Sequence, residues 1–452
     1  MALVVKSHRS VPVRVSDRPV RGLARPPPFA VGDPLMSSAP IPNLSINAER
    51  LWDTLMETAK IGATPKGGIK RLTLTDLDKQ VRDWFVAQCE ALGCTVTIDA
   101  MGNIFALRPG KDPSLTPIAC GSHLDTQPTG GKYDGILGVL AGLEVLRTLD
   151  EAGYETNRPF MITNWTNEEG SRFAPAMLSS GVYAGALTLD YAYSRTDKDG
   201  ATMGEELARI GYKGDIPVGE QAFHAFFELH IEQGPILEAE DKVIGVVTDG
   251  QGQRWFNCKV VGRESHAGTT PMPLRKDALA AVSELVLAIE QIAKDNAPYA
   301  VGTVGVVDIA EPSRNVIPGT VDFTAEFRHP SNAVLDTMSD ALQAKAADVA
   351  ERRGLVVEVE AIWDYPAVKF NADCVAAVQE ATDSFGFTNR TMVSGAGHDA
   401  CYVNRRAPTS MIFIPCKDGI SHNEIEDATP AHCAAGANVL LRAMLAYDRD
   451  HG

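Results

Sequence analysis

The 452-residue chain carries eight cysteines, Cys89, Cys94, Cys120, Cys258, Cys374, Cys401, Cys416 and Cys433, yet it has no Cys-x-x-Cys pair. That scatter offers neither a thiolate metal site nor a disulfide framework. A chain this long can build a core without cross-links, so the cysteines read as reduced thiols of a cytoplasmic protein. It also lacks any run approaching the roughly 18 apolar residues of a spanning helix, which argues against a membrane protein. The longest run, residues 136–146, is interrupted by Glu144. Basic charge is short as well: 42 Lys and Arg stand against 58 Asp and Glu, for a formal net charge of −16. That sign is wrong for a partner with a phosphate backbone. No internal repeat or sustained heptad is present. What remains is 44% apolar and 22% charged residues, a globular composition in a chain long enough for two or three domains.

Residues 1–40 differ from the rest. Lys6, Arg9, Arg14, Arg18, Arg21 and Arg25 face only Asp17 and Asp33, and three prolines follow one another at 26–28. There is no apolar segment of a secretory signal. The expectation is a disordered leader, or an upstream start with Met36 as the initiator. A mitochondrial presequence fits the Arg-rich, acid-poor composition less well, because serine is sparse and the prolines oppose an amphipathic helix.

From residue 46 the apolar spacing alternates between helix and strand periods. Helices are expected around 46–59, over 76–92 with Gly93 as terminator, and over 135–149. Strands are expected at 95–99, 103–107, 118–122, 160–165, 226–231 and 409–414. The alternation predicts an α/β catalytic domain, a mixed sheet with helices on both faces, over 41–245 and 365–452. Between them, 254–261, 276–292, 300–309, 320–327, 331–353 and 355–362 read β-α-β-β-α-β. This is the ferredoxin-like order, assigned to an inserted α+β domain at 246–364.

Divalent metals need imidazole and carboxylate donors on loops at strand ends. Five segments supply them: Gly121-Ser-His-Leu-Asp-Thr126, Gly130-Gly-Lys-Tyr-Asp-Gly135, Asn164-Trp-Thr-Asn-Glu-Glu-Gly170, Leu229-His-Ile-Glu-Gln-Gly-Pro235 and Ile420-Ser-His-Asn-Glu424. Side chains at i and i+2 of an extended segment share a face. Asp125 is therefore expected to hold the far nitrogen of His123 and fix its tautomer. A single histidine is more often a surface or core residue than a ligand, and a Gly-Gly pair is usually a turn. Spacing alone goes no further than a candidate metal hydrolase.

At these residues the sequence resembles the dinuclear-metal amidohydrolases of the M20 peptidase-like superfamily. More narrowly it resembles the hydantoinase/carbamoylase branch: β-alanine synthase (β-ureidopropionase), N-carbamoyl-L-amino-acid hydrolase and allantoate amidohydrolase. The resemblance covers about residues 46–446. Besides the five segments it includes Ser265-His-Ala-Gly268, Arg314-Asn-Val-Ile-Pro318 and Gly395-Ala-Gly-His-Asp-Ala400. It implies two divalent metal ions per subunit, zinc first, with manganese, cobalt or nickel suiting the same donors. Asp134 would bridge them, His123 and His230 would complete one site, and Glu169 and His422 the other. An imidazole at 230 favours the carbamoylases, since peptide-cleaving relatives typically place a carboxylate there. Glu168 would be the general base, assisted by Asp125 and by His266 as oxyanion donor. Gln233, Asn315, Arg328 and His398 match substrate-binding positions, with Arg328 suited to a bidentate carboxylate pair. The inserted domain would also form a homodimer and close over a small ureido substrate bearing a carboxylate, with hinges near Gly245 and Tyr365-Pro366.

The implied reaction cleaves the carbamoyl C–N bond of an N-carbamoyl amino acid by attack of a metal-bridging hydroxide. The stretch from Arg172 to Met177 suggests N-carbamoyl-β-alanine as substrate, giving β-alanine, CO2 and ammonia in pyrimidine catabolism. Allantoate or ureidoglycolate hydrolysis is the alternative. An M20 peptidase or aminoacylase, or a non-catalytic metal- or ligand-binding protein, ranks below both.

Overall fold

Strands buried on both faces read as near-continuous apolar runs, and four such segments form the centre of the larger sheet. In the computed structural model they are Ile118–His123, Phe160–Trp165, Ala225–Ile231 and Thr409–Ile414, buried throughout. They run parallel, with Ala225–Ile231 between Thr409–Ile414 and Ile118–His123, and Phe160–Trp165 outside the latter. Antiparallel strands extend the sheet on both sides. Ile104–Arg108 and Thr95–Ile98 follow Phe160–Trp165, and Ile244–Gly250 follows Thr409–Ile414. This is the mixed sheet expected. The structure describes residues 43–452 and the short strand Val13–Arg14.

Alternation of side chains gives this sheet two apolar faces. Ile118, Cys120, Phe160, Ile162, Phe227 and Leu229 join a core shared with helices Ala48–Thr58, Ile136–Glu151 and Pro430–His451. The intervening residues Phe105, Trp165 and Phe226 pack with Tyr183 and Phe223, ring centroids 5.0–6.3 Å apart. Glu144, the residue that interrupts the longest apolar run, is fully buried. It takes a bidentate pair of 2.8 Å bonds from Arg50 and the Asn47 N–H at 3.1 Å. A charge that would be costly alone thus ties helix Ile136–Glu151 to the start of helix Ala48–Thr58.

The chain divides into two compact units: Asp249–Val368 with the Val13–Arg14 strand, and the residues up to Thr248 with Lys369–Gly452. In the smaller unit the antiparallel order is Val356–Tyr365, Gly252–Val261, Thr320–His329 and then Val301–Thr303 with Val307–Ile309. Counted along the chain this is fourth, first, third, second, the ferredoxin-like arrangement. Helices Ala278–Asp295 and Asn332–Arg353 share one core with the sheet through Phe256, Leu285, Phe323, Phe327 and Leu342.

Two details differ from expectation. The strand expected at 300–309 is two pieces, and pairing resumes one residue out of step: Thr303 lies opposite Glu326 but Val307 opposite Phe323. Gly305 lies in the extra length, where a β-bulge commonly uses glycine. Gly245, expected at a hinge, is paired with Phe413 within Ile244–Gly250. A Cβ there would lie 2.4 Å from Met392 Sδ, so it is a packed strand position, and the division between units falls after Thr248. The leader at 1–40 lies outside the described residues except for Val13–Arg14, which pairs in parallel with Trp363–Asp364. Among the described residues no helix is long and apolar enough to cross a membrane.

Candidate active site

Parallel strands deliver their C-terminal ends to one edge of a sheet, and in open α/β sheets that edge is where ligands collect. His123 is the last residue of its strand and His230 the last but one of its own. Glu168 and Glu169 follow Phe160–Trp165, and His422 lies in the loop beyond Thr409–Ile414. Asp134 precedes helix Ile136–Glu151, whose N-terminal dipole favours an anion.

Asp134 presents its two oxygens to two different donor sets. Oδ1 lies 3.1 Å from His230 Nε2 and 3.6 Å from His123 Nε2. Oδ2 lies 3.4 Å from His422 Nε2, which in turn is 3.5 Å from Glu169 Oε2. The donor atoms of His123, Asp134 and His230 form one compact cluster and those of Asp134, Glu169 and His422 another. These are the two triads implied by the resemblance, sharing the expected bridging residue.

The tautomers agree with ligation. His123 Nδ1 is 2.9 Å from the Asp125 carbonyl and His230 Nδ1 is 2.9 Å from the Ile231 carbonyl. Each Nδ1–H therefore donates to backbone, leaving Nε2 turned toward Asp134, where it donates a proton to the carboxylate in the metal-free site and would present its lone pair to a cation. Gly135 makes the approach feasible. Its φ is +68°, and a Cβ there would stand 2.2–2.4 Å from three atoms of the His123 ring. Burial opposes ionisation of Asp134, but hydrogen bonds with His123, His230 and His422 hold it well below the usual carboxylate range. Burial and the neighbouring Asp134 push Glu169 up to about 7. The bond to Asp134 raises His422 to about 9. Neutral-imidazole nitrogens and carboxylate oxygens in this mixture suit zinc and the later first-row divalent ions, so the residues fit the implied pair of cations.

Glu168 is buried and belongs to neither triad, yet its Oε2 lies 3.5 Å from His123 Nε2. Burial pushes its pKa well above the usual range, against the pull of His123. Asp125 requires a correction. Its carbonyl, not its carboxylate, holds His123; the carboxylate is 3.9 Å from Nδ1. The strand ends at His123, so the pleat that would put both side chains on one face does not continue. The Asp125 carboxylate instead accepts the backbone N–H groups of Glu168 and Glu169, both at 3.4 Å.

His398 is buried in T-shaped contact with His230, ring centroids 4.6 Å apart. Its Nε2 has no partner among the described residues, and burial keeps the ring neutral. Gln233, at φ +56°, donates from Nε2 to Asp134 Oδ2 at 2.9 Å. His422 is likewise left-handed at φ +55°, and strain of this kind gathers at functional sites. The remaining expected residues belong to the smaller unit. His266 pairs with Val316 in a two-stranded ladder, and its Nδ1 accepts the Gly268 and Thr269 N–H groups at 3.0 and 3.2 Å. Its proton therefore sits on Nε2, available to donate. The Asn315 carbonyl accepts the Ala267 N–H, and Arg328 Nε is bonded to Glu326.

Sequence reasoning missed Gln127, which donates to both Glu169 oxygens at 3.1 and 2.6 Å, as well as Ser421 and Glu426 around Asp134. Arg172, at the head of the stretch that suggests N-carbamoyl-β-alanine, is bonded to Asp197, Glu206 and the Thr73 carbonyl.

Comparison with known proteins agrees with this geometry. Residues 119–446 match peptidase family M20/M25/M40. An N-carbamoyl-L-amino-acid amidohydrolase of Rhizobium meliloti is 50% identical over 408 residues, covering 90% of this chain and 98% of its own. A ureidoglycolate hydrolase of Arabidopsis thaliana is 33% identical, covering 88% of this chain and 86% of its own. A solved amidase of the hydantoinase/carbamoylase family from Burkholderia multivorans superposes with a TM-score of 0.87 at 57% identity, over 90% of this chain and 98% of that one. Two triads sharing Asp134, a separate buried Glu168 and similarity over about nine-tenths of the chain converge: the chain belongs to peptidase family M20/M25/M40, in its hydantoinase/carbamoylase branch.

Proposed function

We propose that the protein is a divalent-metal-dependent N-carbamoyl-amino-acid amidohydrolase, cleaving the bond between the carbamoyl carbon and the amino-acid nitrogen. The observation that carries the reading is Glu168: a buried carboxylate outside both triads, 3.5 Å from His123. A site that only bound metal would have no use for it. When bound, the two cations supply a shared water of lowered pKa and a Lewis acid for the ureido carbonyl. Glu168 accepts the proton of the attacking water and returns it to the departing nitrogen. A carboxyl whose pKa is raised by burial suits both halves of that transfer. His266 is proposed to donate its Nε2–H to the tetrahedral oxyanion, with Gln233, Asn315, Arg328 and His398 holding the substrate. The carbamic acid released decomposes to CO2 and ammonia.

Zinc is the proposed metal. The substrate proposed first is an N-carbamoyl-L-amino acid, following the name of the R. meliloti relative. N-carbamoyl-β-alanine, suggested by the stretch from Arg172 to Met177, is kept beside it as a proposed substrate. A ureidoglycolate-type substrate is the second reading, favoured by the similarity to the A. thaliana hydrolase. A homodimer through the smaller unit completes the proposal.

The test is ammonia release by zinc- or manganese-loaded protein on N-carbamoyl-L-amino acids, N-carbamoyl-β-alanine, allantoate and ureidoglycolate. A Glu168→Gln variant should keep its two ions and lose turnover by about 10²–10⁴-fold. Broad turnover of the α-carbamoyl substrates supports the first reading, and selective turnover of another moves the assignment to it. Silence across the panel from fully loaded protein would sink the amidohydrolase reading.

A further inference from the structure

Glu426 lies four residues beyond His422, in no motif, and is buried. Its Oε1 accepts two backbone N–H groups, those of Tyr133 and Asp134, each at 3.1 Å. Its Oε2 stands 2.8 Å from Ser421 Oγ, and the same hydroxyl is 3.0 Å from Asp134 Oδ2. One carboxylate thus grips the backbone of the bridging residue, while the Ser421 hydroxyl, with a single proton to donate, stands between that carboxylate and the Asp134 side chain. The glycine loop is shaped to admit it: a Cβ on Gly131 would fall 2.1–2.4 Å from three atoms of Glu426. The two loops joined here carry ligands of the same triad, Asp134 on one and His422 on the other. Gln233 Nε2 closes the arrangement, 3.3 Å from both Ser421 Oγ and His422 Nε2.

The geometry points to Glu426 as a positioning residue that sets the spacing between Asp134 and His422 and so determines affinity for the second of the two cations. This rests on the two-metal reading of the site. Asp134 Oδ1 faces His123 and His230, both held by backbone carbonyls, and Oδ2 faces His422 in a half-exposed loop. Releasing the grip therefore disturbs the triad of Asp134, Glu169 and His422 more than the other. Partners of this kind typically carry about 10- to 100-fold in metal affinity.

The experiment titrates metal-free full-length protein with cobalt(II), following the visible absorption and the bound metal per subunit. Wild type, Glu426→Ala, Glu426→Gln and Ser421→Ala are compared. The expected result is two cobalt ions for wild type. In Glu426→Ala the first ion should bind unchanged and the second about 10- to 100-fold more weakly. Glu426→Gln, whose amide oxygen still accepts the two N–H groups, should recover part of that loss. Ser421→Ala should reproduce the selective loss with the backbone grip intact, which keeps the test open should Glu426→Ala fold poorly. Equal weakening of both ions, or no weakening in any variant, overturns the inference while leaving the two-metal reading in place. A wild type that takes fewer than two ions overturns both.

Discussion

Asp125 serves its two neighbours through different atoms, and substitution can separate the roles. In Asp125→Asn the backbone carbonyl that holds His123 is untouched, while one carboxylate acceptor beneath Glu168 and Glu169 becomes a donor facing an N–H. The expected outcome is retained metal content with kcat lowered about tenfold or more, because a base displaced by a fraction of an ångström loses its alignment. Metal analysis beside steady-state kinetics checks it; loss of metal would return the carboxylate to the role first expected of it. The pKa values of the triads make a second prediction. His422 is raised to about 9 and Glu169 to about 7, so at pH 7 the metal-free site holds protons that a cation must displace. The metal-free state binds more protons than the loaded one, so affinity must rise with pH toward 9. Calorimetric titration of zinc at pH 7, in buffers of different ionisation enthalpy, should report at least one proton released per subunit. The candidate ligands were legible in the sequence because each lies in a short motif that the family resemblance singles out, at a strand end, before a helix or in a loop. Gln127, Ser421 and Glu426 were not, because their partners are brought to them only by folding; Glu426 and Asp134 are 292 positions apart.

Elements were legible wherever burial is all or nothing. The central parallel strands announce themselves as apolar runs, and Phe160–Trp165 and Thr409–Ile414 have the bounds that the sequence suggests. The edge of the ferredoxin-like sheet was less legible, because half-exposed residues tolerate a bulge that leaves no mark in hydropathy beyond Gly305. The C-terminal helix Pro430–His451 shows how an element is anchored by one polar side chain. Asp448, buried near its end, accepts the Asn157 and Arg158 N–H groups at 2.7 and 2.9 Å. Asp448→Ala leaves both donors without that acceptor, at about 1–3 kcal/mol for each if water cannot replace it. Denaturant unfolding of the metal-loaded protein should show the midpoint fall with little change in slope; an unmoved midpoint would mean that water takes over both bonds.

At the scale of the molecule, the smaller unit exposes apolar side chains on one helix and along one edge of its sheet, where an unpaired strand invites association. Leu287 on helix Ala278–Asp295 and Val301, Val306 and Val307 along the last strands are exposed by 46–66%. Homodimerisation through this edge is the expected consequence. Sedimentation velocity should give twice the chain mass, and Leu287→Lys with Val307→Lys should shift it toward the monomer; a monomeric wild type would discard the dimer. The larger unit holds a different kind of consequence. The Phe370 N–H is bonded to the Thr248 carbonyl at 3.0 Å, so the points where the chain leaves this unit and re-enters it are a single hydrogen bond apart. The 120 or so residues between them are a cassette with its ends already clasped. Such a segment can be exchanged between relatives, or grow and shrink over evolution, without asking the catalytic sheet to relearn any of its own connections.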